Sequence, residues 1–261
     1  MASLEGRTAL VAGASRGIGE YMAKYLASAG AKVAVAARTT EVTDKRLPGT
    51  IHTVSDSINE QGGTAIPVVM NMRDPESIAA GVSETVEQFG GLDIVVNNAA
   101  ILVPGSLESV LDRHIDLIWQ VDLRGPLLLM KHALPHLQKA GGGDFINVSS
   151  IAAVFPGPGP YENVTRGDGA FYGMVKAGLE RASQGLAREL QSENIKVNVL
   201  SPQGRIKTPG NIWADNDPDN PSLEFEAADE MGKATVWVCE QSIEFTGNIL
   251  YDQDLCKEKG L

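Results

Sequence analysis

The sequence predicts an α/β fold: a single domain built on a parallel seven-stranded sheet with helices covering both faces. Three observations predict it. Short apolar runs rich in β-branched residues alternate with longer stretches at helical spacing. The first such run leads directly into a glycine turn. No internal repeat or low-complexity linker divides the 261 residues, and a 43% hydrophobic composition is enough to fill one core.

The first run, Thr8 to Ala12, ends at Gly13-Ala14-Ser15-Arg16-Gly17-Ile18-Gly19, where helical spacing begins and continues from Ile18 to Ala29. Gly13 suits a tight turn, Gly17 lets backbone approach a pyrophosphate, and Gly19 permits close helix–strand packing. The helix N-terminus then offers free amides to the anion, so a dinucleotide site is expected. The second strand, Lys32 to Ala37, ends in Ala37-Arg38-Thr39-Thr40, without the carboxylate that would bind both ribose hydroxyls of NAD. Arg38, with Arg16 in the glycine turn, suits a 2'-phosphate instead, which favours NADP(H) over NAD(H).

Further strands follow at Thr64 to Met70, Asp93 to Asn97, Asp144 to Ser149, Ile195 to Leu200 and Asn248 to Asp252. Helical spacing between them runs over Pro75 to Phe89, Leu111 to Gln138 and Phe171 to Gln191. Two stretches break the rhythm: Phe155 to Pro160, alternating proline with glycine, and the acidic, proline-bearing segment Asn211 to Glu230. Both read as loops. The expected plan is one dinucleotide-binding and catalytic domain over 1–261, with substrate-side loops at 151–171 and 204–230 at the carboxyl ends of the strands.

Charge and cysteine content exclude several function classes. With 22 basic and 33 acidic residues the net charge is -11, which repels nucleic acid phosphates and anionic lipid surfaces. Neither nucleic acid nor membrane is expected as a partner. The two cysteines, Cys239 and Cys256, form no Cys-x-x-Cys pair, so a reducing cytoplasm fits better than a disulfide framework. No uncharged run of membrane-spanning length occurs. His132 and His136 are four apart on an expected helix, but without an apparent third ligand, and no metal is expected.

Tyr172 and Lys176 also stand four apart, at the start of an apolar-periodic run, so a helix brings phenol and ammonium onto one face. A positive charge beside a phenol favours the phenolate and suits it to general acid–base work. Taken in order, Ala12 to Gly19, Asn97-Asn98-Ala99-Ala100, Ser149-Ser150, Tyr172 to Lys176 and Asn198-Val199-Leu200-Ser201-Pro202 resemble the classical short-chain dehydrogenase/reductase family. The segment Val42 to Thr50 is similar to the extended loop of its hydroxysteroid-dehydrogenase-like branch.

The resemblance implies a single-domain Rossmann-type doubly wound fold and interconversion of a carbonyl and an alcohol by hydride transfer. It assigns Tyr172 as acid/base, Lys176 as the residue that tunes it and holds the nicotinamide ribose, and Ser150 as the hydroxyl orienting the substrate oxygen. Hydride addition to a carbonyl carbon requires a proton at oxygen, and these roles supply it. The resemblance places Gly13, Ser15, Arg16, Gly17, Ile18 and Gly19 at the pyrophosphate, Asn71 and Met72 at the adenine, and Asn97 and Ala99 near its ribose. Pro202, Ile206 and Thr208 fall at the nicotinamide carboxamide. The family is commonly dimeric or tetrameric, so a homodimer or homotetramer is expected.

Three residues depart from the family pattern. Asp122 stands where the family has an asparagine whose backbone carbonyl helps hold a water in a proton relay to the lysine. It is grouped with the catalytic residues, with reduced or retuned catalysis expected, not its absence. Ala100 replaces a glycine, and Gln203 replaces the glycine after Pro202. The acidic segment Asn211 to Glu230 disfavours anionic substrates and, with Trp213 and Phe225, points to a neutral ketone or secondary alcohol. The alternatives are a catalytically weak cofactor-binding regulatory or scaffolding protein and an NAD-dependent alcohol dehydrogenase.

Overall fold

The computed structural model describes residues 3–103, 105–154, 169–210 and 227–261. Among them, seven strands pair in parallel: β1 (Thr8–Ala12), β2 (Lys32–Ala37), β3 (Thr64–Val69), β4 (Ile94–Asn97), β5 (Gly143–Val148), β6 (Ile195–Ser201) and β7 (Ile249–Tyr251). Their order is β3-β2-β1-β4-β5-β6-β7, so the direction of winding reverses between β1 and β4. A crevice opens at such a reversal, outside the carboxyl ends of the strands.

The helices are α1 (Gly17–Ser28), α2 (Ile51–Glu60), α3 (Pro75–Phe89), α4 (Asp112–Trp119), α5 (Gly125–Ala140), α6 (Gly169–Leu190), α7 (Asp229–Glu240) and α8 (Asp252–Lys259). Side chains alternate along a strand, and β1 shows the consequence directly. Ala9 and Val11 join one buried layer with Met22 and Leu26 of α1, Val54 of α2 and Met231 of α7. Leu10 and Ala12 join the opposite layer with Ile78 of α3, Leu129 of α5 and Leu190 of α6. Both faces are covered, which is why the strands read as continuous apolar runs.

Several boundaries differ from the expectations. The stretch Leu111 to Gln138 is interrupted by a π-helical turn, Gln120–Arg124, between α4 and α5. The last strand stops at Tyr251, and Asp252 instead opens α8. Asp229 and Glu230 belong to the first turn of α7, not to a loop. α2, absent from the sequence reading, is started by a capping box: Thr50 Oγ1 accepts from the Thr53 amide at 3.0 Å, and Thr53 Oγ1 accepts from the Thr50 amide at 2.9 Å. Its apolar face, Ile51, Val54 and Ile58, has the helical spacing that could have revealed it. The segment Phe155 to Pro160, Tyr161, and the loop residues Trp213, Asp215, Asp217, Asp219, Glu224, Phe225 and Glu226 lie outside the described residues.

The amino ends of the central strands are joined by an ionic cluster. Asp144 of β5 pairs with Arg7 Nη2 at 2.5 Å and with Lys196 Nζ of β6 at 3.0 Å, and its side chain is 2% exposed. Arg7 also donates to the Cys239 carbonyl at 3.0 Å, and Lys196 to the carbonyls of Val238 at 3.2 Å and Gln241 at 2.5 Å. Burial pushes the Asp144 carboxyl up, while Arg7 and Lys196 pull against it. Asp144→Ala leaves the buried Lys196 and the partly exposed Arg7 without their carboxylate and is expected to lower the unfolding free energy by about 3 kcal/mol, measured by denaturant titration at neutral pH.

Candidate active site

The glycine turn lies at the carboxyl end of β1 and is built for close approach. Gly13 has φ +77°, and a Cβ there would lie 2.6 Å from the Ala99 Cα. At Gly19 a Cβ would lie 2.4 Å from Asn98 Nδ2 and 2.5 Å from the Gly13 carbonyl. Asn98 Nδ2 donates to that carbonyl at 3.0 Å and fixes the turn. Asn98 was not among the expected site residues, although its place beside Asn97 at the end of β4 was the available signal. Ser15 is buried behind the turn, and Gly17 and Ile18 begin α1. The glycines thus let the end of β4 and the start of α1 pack closely on the turn, which brings backbone to a helix N-terminus, an arrangement that fits a pyrophosphate.

Arg16 stands at the N-cap of α1 with its Nη2 donating to the Gly49 carbonyl at 3.0 Å. Its buried Nε finds no hydrogen-bond partner among the described residues. Burial and then repulsion from Arg38 push the Arg16 guanidinium down. Two cations therefore share one region, with Arg38 exposed just after β2. An anion between them fits this arrangement.

At the edge expected to hold adenine, Asn71 Oδ1 accepts from the Arg73 amide at 3.2 Å, and its own amide donates to Ser77 Oγ at 3.0 Å. Met72 departs from the expectation as a side-chain contact, because it is buried in the core on the α3 and α5 side. Asn97 departs in the same way: its Nδ2 is turned inward to Asn147 Oδ1 at 2.8 Å. The Asn97 Oδ1 has no hydrogen-bond partner among the described residues. Ala99 packs behind Gly13. On the nicotinamide side, Ile206 is buried, and a Cβ at Gly17 would lie 3.1 Å from Thr208 Cγ2. The turn after Pro202 is held from behind by Asp252, whose Oδ1 accepts from the Gln203 amide at 2.8 Å.

Tyr172 and Lys176 lie one turn apart near the start of α6. Lys176 is only 2% exposed, its Nζ donates to the Val148 carbonyl at 2.9 Å, and it lies 5.5 Å from the centre of the Tyr172 ring. Ser150, in extended backbone after β5, accepts from the Ala152 amide at 3.2 Å and starts a 3-10 turn, Ile151–Ala153. That turn meets α6 at Gly173, where a Cβ would lie 2.5 Å from the Ala152 carbonyl. Ser149 is tied to α6 as well, its Oγ donating to Glu180 Oε1 at 2.6 Å. Gly173 and Glu180 thus seat the serine strand end on the tyrosine helix, a contact that spacing along the sequence does not reveal.

Asp122 lies within the π-helical turn and is fully buried. Its Oδ1 accepts from the Ile101 amide at 2.9 Å, and Oδ2 has no hydrogen-bond partner among the described residues. Burial pushes this carboxyl up to about 7, against the opposing pull of Lys176 and the Ile101 amide. The apolar face of α6 packs within the chain itself: Val175 and Leu179 are buried with Ile118 and Leu123, and Leu190 joins the sheet layer. A Cβ at Gly178 would lie 3.0 Å from Leu123 Cδ2, whereas Gly185 has only Arg181 nearby. Among the described residues no group of three or more His, Cys, Asp or Glu could hold a metal ion, and no helix is long and apolar enough to cross a membrane.

A Rossmann-type sheet with a glycine cradle and a Tyr–Lys pair defines a nicotinamide-cofactor oxidoreductase class. A family model described as short chain dehydrogenase matches residues 7–217. The chain belongs to the short-chain dehydrogenase/reductase family, in its hydroxysteroid-dehydrogenase-like branch. It is 34% identical over 259 residues to hydroxysteroid dehydrogenase-like protein 2 of Bos taurus, and 33% identical over 263 residues to the Homo sapiens protein of that name. It spans 99% of its own length but 59% of each of those relatives. Among solved structures, a short chain dehydrogenase of Mycobacterium thermoresistibile superposes with a TM-score of 0.86 at 33% identity, covering 99% of this chain and 89% of that one. A short chain dehydrogenase of Burkholderia cenocepacia J2315 in complex with NADP gives 0.80 at 31% identity, with coverages of 95% and 97%.

The Asp122 carboxyl binds its proton more tightly in the folded chain, at about 7, than at its ordinary 3.8. The unfolded chain therefore releases that proton first, and this group lowers native stability progressively as pH rises through that window. Asp122→Asn removes the penalty. The variant's stability relative to wild type is expected to rise by up to about 3 kcal/mol between pH 4 and 7 and to level off on either side, checked by urea titrations across pH.

Proposed function

We propose that this protein is an NADP(H)-dependent oxidoreductase that interconverts a carbonyl and an alcohol, acting on a neutral ketone or secondary alcohol. The observation that carries the reading is the buried Lys176 ammonium, fastened to the Val148 carbonyl and one helical turn from Tyr172. When bound, the nicotinamide supplies or accepts the hydride. Tyr172 then gives a proton to the carbonyl oxygen in reduction, or removes it from the alcohol in oxidation. Ser150 hydrogen-bonds that oxygen as charge develops on it. Lys176 keeps positive charge beside the phenol and would help hold the nicotinamide ribose.

The choice of NADP rests on Arg16 and Arg38, which repel each other in a region where Ala37 supplies no carboxylate. The NADP complex of the similar Burkholderia protein is consistent with it. The reading includes a homodimer or homotetramer, supported by Trp119 and Met174, large apolar side chains about half exposed on α4 and α6. It also includes a cytoplasmic setting, which two buried free cysteines suit.

Tyr172→Phe is expected to lower turnover of neutral ketones by a hundredfold or more, roughly, with NADPH binding retained, as followed by NADPH absorbance and a fluorescence titration. Binding without turnover by the wild type on a broad ketone and aldehyde panel would instead support a cofactor-binding regulatory protein. Arg38→Ala is expected to weaken NADP binding about tenfold and leave NAD binding nearly unchanged, measured by calorimetry with each cofactor. Equal loss for both would overturn the cofactor assignment and favour an NAD-dependent dehydrogenase.

A further inference from the structure

Asp122 is a buried ionisable group at the expected relay position, and the proton-transfer roles of Tyr172, Ser150 and Lys176 leave its carboxyl without a task. Its Oδ1 is committed to the Ile101 amide, and Oδ2 reaches no hydrogen-bond partner among the described residues. One amide is too little to replace the hydration of a carboxylate, so the group must either hold a proton or lean on a neighbouring cation. The loop 98–103 against it carries no titratable side chain, and its own turn carries Arg124. The flanking helices α4 and α5 present none that bears on it, whereas α6 presents Lys176, with Tyr172 one turn earlier. A π-helical turn, an uncommon geometry often found at functional sites, places the carboxyl there.

We propose that Asp122 is a positioning residue that regulates the Tyr172–Lys176 pair by gaining and losing a proton. Neutral, it leaves the ammonium's charge acting on the phenol. Ionised, with its proton released to solvent, it shares that charge and weakens the lysine's hold on a phenolate. No bond other than the carboxyl O–H changes. Because burial moves this ionisation toward neutrality, the change of state falls within ordinary working pH. The consequence is directional. A rise in pH charges Asp122 and delays formation of the tyrosinate that alcohol oxidation needs, so the chain resists becoming a better oxidant as the medium turns alkaline.

This inference rests on the hydride-transfer reading, and its test separates the two. Ultraviolet absorbance of tyrosinate is followed against pH for wild type, Asp122→Asn and the same two proteins carrying Tyr172→Phe, so that each difference isolates the Tyr172 step. The step is expected about one pH unit lower in Asp122→Asn than in wild type. In parallel, kcat/KM for alcohol oxidation in wild type should show an additional ionisation near neutrality that the variant lacks. Asparagine keeps an acceptor for the Ile101 amide, so a merely structural role would leave the step where it was. Asp122→Ser, a second uncharged variant, is expected to move the step the same way and serves if asparagine does not fold. Coincident steps in charged and uncharged proteins would overturn the proposal even with turnover intact. Shifted steps without turnover in any protein would uphold it while removing the oxidoreductase reading.

Discussion

A lysine ammonium taken out of water costs several kcal/mol unless it is hydrogen-bonded, and Lys176 is almost fully buried. Its bond to the Val148 carbonyl therefore fixes where α6 must lie relative to the carboxyl end of β5. Other features of the site follow from that anchorage. Tyr172 is delivered by one turn of the same helix, and Gly173 lets the serine-bearing strand end approach it without a Cβ in the way. Gly178 allows the same helix to press on Leu123, so the turn that carries Asp122 is brought to the lysine from the other side.

The two ends of the sheet are built for different work. At the amino ends, Asp144 binds both Arg7 and Lys196, and these two cations tie β5, β6 and the start of β1 to carbonyls at the end of α7. The cations there are held by a carboxylate and by backbone carbonyls. At the carboxyl ends, Arg16 and Arg38 repel, the Arg16 Nε lacks a partner among the described residues, and glycines let the turn pack closely on Ala99 and Asn98. Cations bound to a shared carboxylate at one end and two arginines that repel at the other distinguish the two ends of the sheet. The polarity of a parallel sheet, together with the reversal between β1 and β4, decides which end does chemistry.

Much of this was legible in the sequence because the signals were local. The strands are continuous apolar runs, the cradle follows from three glycines after β1, and the Tyr–Lys spacing of four is a helical turn. What was not legible depends on contacts across the chain. Nothing in the spacing of Asn97 says that its amide turns inward to Asn147, or that Asn98 next to it holds the glycine turn instead. The π-helical turn adds a residue to the helix without a glycine or proline inside it to mark the place. α2 escaped notice because a polar, threonine-capped helix follows a segment whose composition reads as loop, and only three apolar positions betray its face.

The departures from the family pattern bear on whether the site is intact. A decaying site would be expected to leave an altered turn without fitted partners, yet Gln203 has acquired them, while Asp122 keeps one bonded oxygen and one without a partner among the described residues. Gln203, in place of glycine, receives the Asp254 amide on its Oε1 at 3.2 Å, while its own amide is held by Asp252 at 2.8 Å. The turn carrying Ile206 and Thr208 is thus fastened to α8. Asp122, in place of asparagine, keeps an oxygen on the Ile101 amide, the acceptor role either residue can fill, and adds only an ionisable atom beside the lysine. The fastening of Gln203 and the retained acceptor at Asp122 fit the proposed oxidoreductase better than a scaffold that has merely kept its glycine turn.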